Sequence, residues 1–269
     1  MWKQCTLAVA VAAAVWGFAA EKTAASRGVL SAHEIERIEA LEPQGQAVWL
    51  LERVVNQYTG AEPMLRRLLP SWQGKLKLDD RLNSLLNAAH NSSDLGVRGV
   101  AIGVTLAARN VELSANTVER LRQSIQDGEG DTPWNLWTLG MLGNRGVEVE
   151  RVRQILADRL RDANASTRFW AVGSLALLGG KEDLGYLLWM FRHEPDPGVR
   201  EHAACSVAES GMFTREQRRA AIPELLGMMD DPDLDEQTRS WVFQALQDIS
   251  GKSFGSDRTA WRRWFGSES

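Results

Sequence analysis

The stretch RFWAVGSLALLG, residues 168–179, decides the fold, because variants of it recur along the chain. RGVAIGVTLAAR begins at Arg98, TPWNLWTLGMLG at Thr132, REHAACSVAESG at Arg200 and RSWVFQALQDIS at Arg239, so successive starts lie 34, 36, 32 and 39 residues apart. With the first residue of each segment counted as zero, position three is Ala101, Asn135, Ala171, Ala203 and Val242. Position four is Ile102, Leu136, Val172, Ala204 and Phe243, and position seven is Thr105, Leu139, Leu175, Val207 and Leu246. Apolar residues at this spacing line one face of an α-helix. Gly143, Gly179 and Gly211 fall at position eleven, where a helix C-cap is expected. Other helical stretches lie between these segments, over 117–125, 149–160, 181–191 and 214–229. Two helices per unit at such a period are the mark of a helical solenoid.

The turns ahead of these helices carry a second signal. Asp162-Ala-Asn-Ala-Ser-Thr-Arg168 and Pro195-Asp-Pro-Gly-Val-Arg200, the latter followed by Ala203 and Ala204, resemble HEAT repeats. In that family the second helix of a unit opens after an acidic turn with a Val-Arg pair and small residues. The resemblance spans roughly residues 79–265, with Thr132-Pro133 in place of Arg in the second unit and an enlarged turn, 230–238, in the last. It implies an all-α, right-handed α-solenoid of about five HEAT-like repeats with helical caps. It also implies that the acid–Arg pairs Asp162–Arg168 and Glu194–Arg200 tie each turn to the helix of its own or the next repeat.

Around this core the chain divides into residues 1–25, a signal peptide or N-terminal membrane anchor; 26–78, a helical N-terminal cap; 79–252, the repeats; and 253–269, a C-terminal capping helix. The first assignment rests on a short head with Lys3 followed by an uncharged run over residues 5–20. That run is shorter than the roughly 20 residues that span a bilayer comfortably. It predicts an exported protein, periplasmic, extracellular or held at the membrane through residues 5–20. In the cap, Val48, Leu51 and Val55 form an apolar stripe, and in the closing helix Trp261 and Trp264 stand one turn apart. Ser31 with Glu34 and Thr214 with Gln217 read as capping boxes, and Asp233 with Glu236 has the same spacing. Pro223 should kink the helix over 214–229, or split it near Ala221.

A net charge of −4 argues against sequence-independent nucleic-acid binding, which needs a basic face. Two cysteines rule out a disulfide framework. No phosphate-cradling glycine loop or Gly-x-Ser-x-Gly elbow is present. Cys205 follows His202 by three residues, but it sits among Ala203, Ala204 and Val207, as a small buried residue would. Some HEAT-like solenoids resemble di-iron hydroxylases, which set His-Glu pairs at the starts of second helices. Here His33-Glu34 and His193-Glu194 fall elsewhere, and only the reversed Glu201-His202 is in place, too few ligands for a dinuclear centre. No cofactor and no metal is expected.

The chain holds 11 Trp against 2 Tyr. Position two of the repeat helix is Val100, Trp134, Trp170, His202 and Trp241, set away from the apolar stripe at roughly 100° per residue. Trp134, Trp170, His202 and Trp241 are therefore candidates for an aromatic ladder on the concave face. They would serve either as anchors for a protein or extended polymer partner or as packing between neighbouring repeats. The expected function is a non-catalytic scaffold. The alternative is a small-ligand-binding or metal-dependent enzyme, lyase- or hydroxylase-like, using His202.

Overall fold

A computed structural model describes residues 28–268. In chain order the helices are α1 (Ala32–Glu39), α2 (Pro43–Val55), α3 (Ala61–Leu68) with a 3-10 turn (Leu69–Trp72), α4 (Asp80–His90), α5 (Leu95–Ala108), α6 (Ala115–Asp127), α7 (Thr132–Asn144) and α8 (Val149–Arg159). They continue with α9 (Ala165–Leu178), α10 (Lys181–His193), α11 (Pro197–Cys205) running into a π-turn (Ser206–Ser210), α12 (Arg215–Arg219), α13 (Ile222–Met228), α14 (Glu236–Ser250) and α15 (Arg258–Glu268). The protein is all-helical; among the described residues the only β pairing is an isolated bridge between Val29 and Thr59. The signal or anchor assignment over residues 1–25 lies outside the described residues. No helix among those described is long and apolar enough to cross a membrane.

The chain separates into two compact units, one ending at Thr117 and one beginning at Val118. In the first, α2 packs on α3 and α4, and α4 on α5. Its core gathers Ile38, Leu50, Leu51, Leu65, Trp72 and Leu82, all fully buried. Trp72 donates its indole N–H to the buried Gln46 Oε1 at 2.9 Å, so the largest ring in this core keeps its polar atom satisfied. The buried stripe of α2 is Ala47, Leu50, Leu51 and Val54; Val48 and Val55, expected to share it with Leu51, only flank the core. Thr105, the polar residue at position seven of its segment, bonds His90 Nε2 at 3.1 Å.

In the second unit α7 packs on α9, α9 on α11 and α11 on α14, with α8, α10 and α13 lying beside their sequence neighbours. Positions three and four of the helices α7, α9, α11 and α14 are buried as the pattern requires, except Phe243, which is half-buried. α7 and α9 approach closely because Gly140 has no side chain: a Cβ there would stand 2.6 Å from the Ser174 carbonyl oxygen. Backbone cannot retract as a side-chain tip can. Gly140→Ala is therefore expected to destabilise the protein by about 1–3 kcal/mol, although alanine is the better helix former. A urea midpoint equal to or above the parent's would contradict this.

Local chemistry starts each of the repeat helices. Asp94, Asp131, Asn164, Asp196 and Asp235 each accept a hydrogen bond from backbone N–H groups in the first turn of α5, α7, α9, α11 and α14. These N-caps satisfy amides that have no partner within the helix. The capping residue of α14 is thus Asp235, which binds Thr238 N at 2.7 Å, and not Asp233. Ser31 and Thr214 form the expected capping boxes. Pro223 stands at the start of α13, and the chain breaks before it at Ala220 and Ala221, as expected. Of the position-eleven glycines, Gly179 alone is a left-handed C-cap, at φ +74°. Gly143 lies inside α7, where Val152 and Leu178 leave no room for a side chain, and Gly211 follows the π-turn with φ −71°.

That π-turn is held by one side chain. Arg218 donates to the carbonyls of Val207 at 2.6 Å, Glu209 at 2.8 Å and Gly211 at 2.5 Å. At the chain end Trp261 is fully buried, meets Phe254 edge-on at 4.9 Å and bonds the Gly255 carbonyl at 2.9 Å. Arg262 and Arg258 of the same helix pair with Asp230, in the turn between α13 and α14.

Candidate functional site

The four residues at position two are neither core nor free surface. Trp134, Trp170, His202 and Trp241 are all half-buried. Trp134 sits in the first turn of α7, where its amide is capped by Asp131 at 3.1 Å. Trp170, His202 and Trp241 stand one turn further in, each the sixth residue of α9, α11 and α14.

The structure joins two of these four, though not by direct stacking. The Trp170 ring meets Trp137 of α7 edge-on at 6.2 Å and Phe169 at 6.0 Å. Phe169 in turn lies flat against His202 of α11, with centroids 4.0 Å apart and 14° between planes. A continuous aromatic cluster, Trp137–Trp170–Phe169–His202, thus crosses three successive helices. Position two of one helix packs over position five of the helix before it: Trp170 over Trp137, and His202 over Gly173. A Cβ on Gly173 would stand 2.8 Å from His202 Nε2, so the glycine makes the seat for the imidazole. Phe169 and Trp137, which complete the cluster, belong to positions one and five and were not among the residues singled out from sequence. Their signal was present, since Phe169 directly precedes Trp170 and Trp137 follows Trp134 by three residues, about one helical turn.

Burial of the imidazole sets its protonation. Desolvation against Phe169 and the α9 backbone pushes His202 down from 6.5 to about 4. Its Nδ1 is shut off from water and has no hydrogen-bond partner. The ring is therefore neutral at pH 7 and acts as a flat aromatic surface. Cys205, one turn away, is 1% exposed, buried as its small apolar neighbours in the sequence suggested.

The carboxylates near these histidines are otherwise engaged. Glu34 closes the capping box with Ser31. Glu194 is 3% exposed and grips Arg168 through two bonds, Nε to Oε2 at 2.9 Å and Nη2 to Oε1 at 2.6 Å, while accepting the Asp196 amide at 2.9 Å. Among the described residues no three His, Cys, Asp or Glu side chains stand close enough together to hold a metal ion.

The pairing of acids and arginines differs from expectation. Arg168 takes the backbone carbonyls of Asp162 and Ala163, at 2.9 and 3.2 Å, and gives its charge to Glu194 of the following turn. Arg200 likewise pairs with Asp235 at 3.0 Å instead of Glu194. Each arginine braces its own turn by hydrogen bonds or reaches the next turn by an ion pair. These contacts fix the starts of α9 and α11, and so the angle at which Phe169, Trp170 and His202 are presented.

A second group of aromatics was also missed. Tyr186 and Trp189 on α10 are 39% and 52% exposed, the most open rings among the described residues. No protein-family model matches this sequence, and no curated protein matches it either.

Proposed function

We propose that the protein is a HEAT-like, right-handed α-solenoid that works as a non-catalytic scaffold, binding a protein or extended polymer partner across the starts of α7, α9, α11 and α14. The observation that carries this reading is the half-buried aromatic cluster running over three successive helices, Trp137–Trp170–Phe169–His202. These rings pack against one another and remain partly open. Rigid, partly desolvated aromatics are the residues that most often dominate binding energy. A solenoid builds extended surface in place of an enclosed catalytic cavity, which favours recognition over chemistry. Export or membrane anchoring by residues 1–25 belongs to the same proposal and rests on the sequence pattern alone.

Site-specific photo-crosslinking in the native host tests it. Crosslinkers at Glu201 and Ser240, which stand next to position two on α11 and α14, should yield one discrete adduct. A crosslinker at the exposed Gln154 of α8 should not. Adding Trp170→Ala should reduce the adduct about tenfold while the helical circular dichroism persists. No adduct from either position, or equal yield from Gln154, would remove the scaffold reading.

A further inference from the structure

α10 has two contrasting faces. Leu184, Leu187, Leu188, Met190 and Phe191 are buried, whereas Glu182, Gly185, Tyr186 and Trp189 fall at i, i+3, i+4 and i+7 on a face that is largely open. With Ala157, Leu160 and Arg161 from the end of α8, this open face bounds a groove of about 460 Å³. Leu160 is buried and supplies an apolar floor. Above Gly185 the space is empty: a Cβ there would meet nothing within 4 Å. Trp189 is steadied from behind by His193, with ring centroids 5.3 Å apart. Both side chains leave the same face of a helix, which sets their Cα–Cβ directions before any ligand arrives.

Trp is seldom left so open on a protein that has a core to bury it in, and an exposed aromatic at a groove marks a binding surface. The charges decide what fits. The groove is bordered by one cation, Arg161, and one anion, Glu182, and carries no net charge. A cationic ligand would meet Arg161 and an anionic one would meet Glu182. A lipid surface would have to strip water from both.

We infer that this groove binds a neutral oligosaccharide. A pyranose ring has an apolar C–H face that lies on an indole or phenol ring, and a rim of hydroxyls that both donate and accept. Trp189 and Tyr186 supply the platforms, Arg161 the donors and Glu182 the acceptors. The groove's size falls within the range of small-molecule sites. This surface shares no residue with the α7–α9–α11 aromatic cluster, so either can fail while the other stands.

The test is an array of neutral oligosaccharides, anionic oligosaccharides and peptides probed with the full chain. The parent should bind one or more of the neutral oligosaccharides. Trp189→Ala should lose that signal by at least about tenfold, and so should Gly185→Leu, which fills the open space with a better helix former. Circular dichroism of both variants should match the parent. Neutral oligosaccharide binding no stronger than that of Trp189→Ala would overturn the inference. So would binding confined to anionic oligosaccharides or to peptides, or a Gly185→Leu variant that binds as the parent does.

Discussion

Replacing Asp183 by alanine is expected to lower the unfolding free energy by about 3 kcal/mol, the lower end of the cost typical of breaking a buried ion pair, because Arg153 keeps the exposed Glu150 and Glu182. Asp183 is fully buried, and Arg153 is 8% exposed. The guanidinium donates from Nε to Asp183 at 2.7 Å, while the other carboxylate oxygen accepts the Gly180 amide at 2.6 Å and closes the start of α10. Alanine therefore removes an ion pair and a helix cap together. The bonds to Asp183 and Glu150 hold the Arg153 pKa above its ordinary value, so the guanidinium cannot escape by losing its proton. Two companion variants separate the contributions in urea titrations. Asp183→Asn keeps an acceptor for Gly180 and should cost less than alanine. Glu150→Ala removes a carboxylate that is 84% exposed and should cost under about 1 kcal/mol. Equal losses from Asp183→Ala and Glu150→Ala would show that burial does not set the strength of this pair.

Acid should destabilise the fold through two histidines. His90 is pushed down to about 4, by burial first and by Arg98 second, and His202 to about 4 by burial. A histidine whose folded pKa lies below the unfolded value of 6.5 favours the folded state when neutral. That share of stability is complete above pH 6.5 and disappears as the pH falls from 6.5 through about 4. By linkage each histidine forfeits about 2 kcal/mol at pH 5 and about 3 kcal/mol in full. Carboxylates titrate in the same interval, so the informative quantity is a difference between proteins. His202→Gln and His90→Gln should each reduce the drop between pH 7.5 and pH 5 by about 2 kcal/mol. A His202→Gln protein whose pH profile overlays the parent's would show that the imidazole is not held neutral against Phe169.

Helix starts were the most legible part of the sequence, because a cap is a local event. A hydroxyl or carboxylate reaches amides two or three residues ahead, and Ser31, Thr214 and Pro223 acted where the spacing placed them. The miss at α14 has the same local logic: Asp233 and Asp235 stand two residues apart, and either could begin a helix until packing chooses. Ion pairs were less legible. Asp162 and Arg168 are near in sequence, yet the guanidinium turns to Glu194, 26 residues on, because the next turn comes to lie beside it. Glycines were ambiguous for a related reason. Gly179 and Gly143 share a repeat position, but one answers to a backbone angle and the other to Val152 and Leu178. The candidate rings were found in part. Periodicity at position two picked out Trp170 and His202 but could not show that Phe169 links them, since that contact depends on how far α11 is set along α9. Tyr186 and Trp189 lie on α10, between the recurring segments, and the sequence alone does not tell which face of that helix its neighbours leave open.

The ion pairs that run from one turn to the next also act as joints carrying load in series. A pull along the succession of turns would pass through Arg168–Glu194 and then Arg200–Asp235, and the softer joint would yield first. Arg168–Glu194 is bidentate, with the carboxylate almost wholly shielded, whereas Arg200–Asp235 is a single contact whose carboxylate is 48% exposed. Water already competes for that second joint. Under tension the step to α14 would therefore yield in two stages, Arg200–Asp235 first and the shielded Arg192–Asp231 pair after it, while α9 and α11 stay clasped with the rings they carry.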